Sequence, residues 1–130
     1  AAPRETSAVA AAWITAGHQG TRWRGGDWPS PGDLVFFDDT WDRNGNGRRD
    51  DPLTHVGLVE WVDVDGTVTF LHRGSQGVTR GHLNLRRPSR ARGEDGRPLN
   101  APLRVRASRR DDAPALAGEL FVGYGRIGIE

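Results

Sequence analysis

The hydrophobic positions change their spacing several times along the chain, and each change predicts an element. Val9, Ala12, Trp13 and Ala16 recur three and four residues apart, which lines one face of an α-helix. Thr6 or Ser7 supplies the N-cap oxygen, and Gly17 stops the helix. The next stretch, HQGTRWRGGDWPSPG, is rich in turn formers, with Trp23 and Trp28 expected to pin a loop to the body. Short apolar or alternating runs then predict strands at Asp33 to Phe37, His55 to Val62, Thr67 to His72 and Gly77 to Leu85. The second and third are joined through DVDG, a strong hairpin signal. Residues 86 to 114 are rich in Arg, Pro and Gly and read as a long loop. The end, LAGELFVGYGRIGIE, reads as a returning element that packs Leu120, Phe121 and Tyr124. A helix followed by antiparallel strands is an α+β architecture, expected to form one domain over 1–130.

The hairpin carries a geometric expectation. Side chains alternate faces along a strand, so His55, Gly57, Val59 and Trp61 are expected on one face. With Asp63 to Gly66 as a four-residue loop, Gly57 falls opposite His72, and the two histidines lie diagonally across a glycine. A two-residue turn at Asp65-Gly66 instead places His72 opposite Val59. Either register puts both imidazoles on the same side of the sheet.

Composition narrows the chemistry. A chain of 130 residues can bury about two-thirds of its unfolded surface. The net charge of +1 gives no ground for a nucleic-acid partner, and no apolar run reaches the length of a membrane span. All 18 basic residues are Arg. The Arg groups at 86 to 97 and 104 to 110 are interleaved with Glu94, Asp95, Asp111 and Asp112, the pattern of a solvated surface. Zero Cys excludes disulfides, thiolate metal sites and a thiol nucleophile within these residues. No H-x-H or H-E-x-x-H spacing supplies a zinc site, and His18 and His82 read as surface residues. There is no Met, and AAPRETS suits a mature end left by signal peptidase, although initiator removal or truncation would also produce it.

Three segments in order carry a family resemblance: PGDLVFF, then THVGLVE, then a hairpin ending FLHRGSQGV. Together, over Pro31 to Val78, they resemble the papain-like NlpC-type and CHAP-type cell-wall cysteine peptidases and amidases. The resemblance implies a papain-like fold, with His55 as the catalytic base and His72 as the residue that orients it. It further implies a peptide or peptidoglycan-type substrate, and a secreted, periplasmic or cell-envelope location in a bacterium.

One part of the pattern is missing. The family's nucleophile is a Cys at the N-terminus of a helix preceding the first strand, where helix-end amides and an adjacent His lower a thiol pKa from about 8.5. Overlaying TSA on the family's Cys-Ser-Gly puts Thr6 in the nucleophile position. An internal Thr is a poor substitute, because threonine hydrolases commonly use a terminal residue whose own amine is the base. The favoured expectation is a Cys upstream of residue 1 or on a second chain. Two functions follow: the base-bearing part of a cysteine peptidase or amidase, or an inactive domain that binds peptide or cell wall.

The connection DDTWDRNGNGRRDDPLT between the first two of these segments has chemistry of its own. Asp42, Asn44 and Asn46 stand at positions 1, 3 and 5 of an EF-hand-like loop, Gly47 at 6, Arg48 at 7 with its carbonyl, and Asp50 at 9. Position 12 is Leu53, so the usual bidentate carboxylate is absent, and Asp51, Asp38 or Asp39 is left to replace it. The spacing predicts a weak Ca²⁺ site that holds the insertion as a structural module.

Overall fold

The computed structural model describes residues 8–18, 21–24, 26–74, 76–105 and 115–127. Two positions of the predicted helical stripe seat the first helix, α1 (Ala8–His18). Trp13 meets Phe36 edge-on at 5.0 Å between ring centroids. A methyl group at Gly125 would stand 3.0 Å from Ala16 and 3.1 Å from the Phe36 ring, so glycine there lets the helix lie close to the sheet.

That sheet has six strands, all antiparallel to their neighbours. They are β1 (Arg22–Trp23), β2 (Leu34–Phe37), β3 (His55–Val62), β4 (Val68–Gly74), β5 (Gly77–Leu83) and β6 (Phe121–Gly125). In space they run β1-β6-β2-β3-β4-β5, so the C-terminal strand inserts between β1 and β2. A short second helix, α2 (Ala117–Leu120), leads directly into β6. The domain is therefore α+β with an N-terminal helix on an antiparallel sheet.

The two faces of the sheet are different. Val35, Phe37, Val59, Val68, Phe70, Leu83 and Tyr124 are buried together on one face, where Ala115, Ala117 and Leu120 cover them. Phe36 points to the other face, against α1. Residues 84–100 are tied to one another and to Gly118 by two buried asparagines. Asn100 accepts hydrogen bonds from the N–H groups of Asn84 and Gly118, and donates to the carbonyls of Arg87 and Arg90. Asn84 accepts from the N–H groups of Arg86 and Arg87 and donates to Thr67 Oγ1. Within the predicted long loop, 106–114 lie outside the described residues.

The PGD segment is a turn. Asp33 N–H donates to the Ser30 carbonyl, and Gly32 takes φ +95°, the left-handed conformation that glycine adopts without strain.

Next to its turn the β3–β4 hairpin departs from both registers expected of it, and beyond a bulge it adopts the first of them. Val62 pairs with Val68 and Trp61 with Thr69, leaving a five-residue connection. A bulge between Val59 and Trp61 then shifts the ladder, and Val59 pairs with Phe70. Below the bulge Leu58 pairs with Leu71, the register in which Gly57 falls opposite His72. The extra residue also turns Trp61 off the face shared by His55, Gly57 and Val59, and Trp61 is exposed. The expected position of Trp61 is therefore corrected. β1 is a further departure: Arg22 and Trp23 pair with Gly125 and Tyr124 instead of forming only a loop.

Candidate functional site

His55 opens β3 opposite Phe37, and His72 lies near the end of β4. The structure brings them together on the buried face of the sheet: His55 Nε2 and His72 Nδ1 are 2.8 Å apart, with the rings nearly perpendicular. Phe70 lies beside His72 at 5.1 Å between centroids, and Phe37 lies beside His55 at 6.2 Å. Gly57 does more than clear a path between the imidazoles. A methyl there would come within 2.7 Å of Phe70 and 3.1 Å of Val35, so glycine makes room for the ring that supports His72. Gly81 has the same role from β5, where a methyl would meet Phe70 at 2.7 Å and His72 Nε2 at 3.2 Å.

This setting favours neutral rings. Burial, and secondarily the repulsion from His72, push the His55 pKa down to about 4. Burial also lowers His72. A neutral pair suits the short contact, because one nitrogen must donate and the other accept. His55 Nδ1 has no hydrogen-bond partner among the described residues, so one nitrogen of His55 is held and the other is available.

The pair borders a cleft of about 390 Å³, whose lining also includes Thr40, Trp41, Thr54, Arg73 and Arg104. Thr40 N–H donates to Thr54 Oγ1 at 2.9 Å, and the two hydroxyl oxygens are 2.7 Å apart, which fixes the wall beside His55. The Arg104 guanidinium donates to the Asp39 carbonyl at 2.7 Å. Sequence reading missed these lining residues. Thr54, immediately before His55, was the one with a positional signal. A slightly larger hollow of about 430 Å³ lies at the opposite end of the hairpin, beside Asp65, Arg86 and Arg97, away from the histidines.

The remaining predicted site residues fall elsewhere. Thr6 lies outside the described residues, as does the side chain of His18. No described residue of α1 lines the cleft, and α1 packs on the sheet face opposite the histidines. His82, expected at the surface, is half-buried and its pKa is lowered chiefly by that burial. Asp42, Asn44, Asn46, Arg48 and Asp50 form a connected turn between β2 and β3. Among the described residues no three His, Cys, Asp or Glu side chains converge as a metal site.

An α+β sheet domain with two hydrogen-bonded histidines on adjacent strands is the class that fold and site define. The CHAP-domain family model matches residues 3–74, more than half of the 130-residue chain. The chain belongs to that family, whose domains are cell-wall peptidase- or amidase-like. No curated protein and no solved structure gives a significant match.

Proposed function

We propose that this chain is the base-bearing part of a cell-wall cysteine peptidase or amidase whose thiol is supplied from outside these residues. The observation that carries the reading is the 2.8 Å contact between His55 Nε2 and His72 Nδ1, which commits one nitrogen of His55 and leaves Nδ1 for a nucleophile. In the productive tautomer His55 Nε2–H donates to His72 Nδ1, and the lone pair of His55 Nδ1 takes the proton of an approaching thiol. The thiolate attacks the amide carbonyl carbon, and the proton held by His55 passes to the leaving amine as the C–N bond breaks. Water then hydrolyses the thioester. His72 orients the ring and stabilises the imidazolium. A neighbouring thiolate also opposes the burial that depresses His55, because an opposite charge favours the protonated ring. On this reading the thiol has to come from outside these residues, since they include no Cys and α1 packs on the face away from the histidines. The substrate is a peptidoglycan-type peptide, and an extracellular or envelope location is compatible with it.

The absence of Cys also favours a second reading, a domain that keeps the cleft for binding alone. One set of assays separates the two. The 130-residue chain by itself should release no amine from peptidoglycan-type peptides. The product of the complete reading frame should do so, should be blocked by iodoacetamide, and should lose about 10²- to 10⁴-fold activity in His55→Ala. Turnover by the chain alone that vanishes in Thr6→Ala would refute the proposal and make Thr6 the nucleophile. A complete product that binds these peptides without cleaving them would establish the second reading.

A further inference from the structure

The loop between β2 and β3 contains two features that internal hydrogen bonding does not explain. Among the described residues Asp42 Oδ1 and Asp51 Oδ2 are both buried and without a hydrogen-bond partner, and Asp51 as a residue is only 2% exposed. A buried carboxylate oxygen left unpaired is costly, and such an atom calls for a partner, an ordered water or a cation. Both carboxylates are held by their other oxygen. Asp42 Oδ2 accepts the Gly47 N–H at 2.8 Å, and Asp51 Oδ1 accepts the Asn44 N–H at 3.3 Å. The Asp51 backbone is itself anchored to the end of β2: its N–H donates to Asp39 Oδ1 at 2.7 Å and its carbonyl accepts the Asp39 N–H at 2.8 Å. The loop therefore holds two carboxylates from its two ends, each with one oxygen occupied and one not.

The asparagines complete the arrangement. Asn44 Nδ2 and Asn46 Nδ2 donate to the two oxygens of Asp50 at 3.0 and 2.7 Å. With its amide nitrogen engaged, each asparagine turns its oxygen back to the loop backbone, where Asn44 Oδ1 accepts from Asn46 N–H and Asn46 Oδ1 accepts from Arg48 N–H. An amide oxygen has two lone pairs, so each keeps one for a further partner. Gly45 and Gly47 take φ +70° and +75°, which permits the tight reversals.

We infer that this loop binds one Ca²⁺ ion, with Asp42 Oδ1 and Asp51 Oδ2 as its charged ligands, Asn44 Oδ1, Asn46 Oδ1 and the Arg48 carbonyl as neutral ones, and Asp50 outside the cage as the residue that aims both asparagines. This alters the ligand set expected from the sequence spacing, in which Asp50 was a ligand and the last carboxylate was unassigned. The donors are all oxygen, which suits a hard cation that takes 6–8 oxygen ligands and disfavours the softer transition metals. Only two carry charge, so the dissociation constant is expected at about 10⁻⁴–10⁻³ M, as in extracellular modules. The inference is independent of any role for His55.

Terbium, which replaces calcium at oxygen sites and is sensitised by a nearby indole, provides the readout, with the exposed Trp41 next to Asp42 as antenna. The chain should show saturable terbium luminescence that millimolar calcium displaces and equal magnesium does not, and its melting midpoint should be several degrees higher in 10 mM calcium than in EDTA. Asp42→Asn and Asp51→Asn should each weaken binding at least tenfold, and Asp50→Asn by less than that. Because Asp51 is buried, its variant is first checked for folding by circular dichroism, and Asp42→Asn carries the test if it fails. Identical melts with no displaceable luminescence would overturn the site. Loss in Asp50→Asn as large as in Asp42→Asn would overturn the ligand assignment.

Discussion

A histidine that shares a short hydrogen bond with another histidine inside a protein resists a second proton, and at the scale of single residues this makes His55 a pH-dependent element of stability. Its pKa is about 4 in the folded chain against 6.5 for an unperturbed imidazole, with burial the larger cause and His72 the smaller. Between these values the unfolded chain binds more protons than the folded one, so stability rises with pH across the window. The contribution is fully present above pH 6.5 and is lost as pH falls towards 4. Its size is on the order of 1–3 kcal/mol once the solvent contact of the ring is allowed for. Urea unfolding at pH 7 and pH 4.5 should show a larger loss in wild type than in His55→Gln, and a proton NMR titration should place the His55 midpoint near 4. A midpoint near 6.5, with equal losses in both proteins, would mean that the ring is neither buried nor coupled as described.

Among the elements, the segment after β5 is held by polar bonds more than by apolar packing. Asn100 is 2% exposed, accepts from Asn84 and Gly118 N–H groups and donates to the Arg87 and Arg90 carbonyls. Asn100→Ala would leave several of these buried groups unpaired, at about 1–3 kcal/mol for each one that water cannot reach. A fall in melting midpoint of at least about 8 °C is expected, with residues 86–105 losing hydrogen-exchange protection first. A change below about 2 °C would show that water replaces the network. None of this was legible in the sequence, where an asparagine between Leu99 and Ala101 has the look of loop polarity. What was legible follows from periodicity: α1, the bounds of β3 and the shared face of His55 and His72 all come from side-chain alternation or helical spacing. The bulge at Glu60 was not, because a single unpaired residue changes no composition, and with it went the position of Trp61. β1 was missed because two residues carry no period. The ligands proposed for the loop were half legible: Asp42, Asn44 and Asn46 stand at the spacing that suggests them, whereas proposing Asp51 in place of Asp50 needs the direction of each carboxylate.

At the scale of the whole molecule, the order of the sheet depends on bringing a C-terminal strand back between two N-terminal ones, and Arg126 stands where the three meet. Its guanidinium donates to both oxygens of Asp33 at 2.8 Å, its backbone N–H donates to the Thr21 carbonyl, and it lies 5.3 Å from the Trp23 ring centre. The ion pair is asymmetric, with the Asp33 side chain 4% exposed and that of Arg126 52%. Its value is therefore less that of a surface bridge than of a cover for a buried carboxylate, which would otherwise keep only the Ser30 N–H. Asp33 in turn extends the β2–β3 pairing towards the PGD turn, since its carbonyl accepts the Val59 N–H. Losing the cover should thus loosen the strand pair that presents His55. Arg126→Ala is expected to lower the urea unfolding midpoint, because it leaves the buried Asp33 carboxylate without its counter-charge. Arg126→Lys should recover only part of the loss, because an ammonium cannot reproduce the two-pronged fork. The double variant Asp33→Asn with Arg126→Ala should lose less than the two single losses added together, as residues in direct contact do. Strict additivity of the two losses would mean that Arg126 acts through the Trp23 face alone and that the register of β6 is set by the ladder without it.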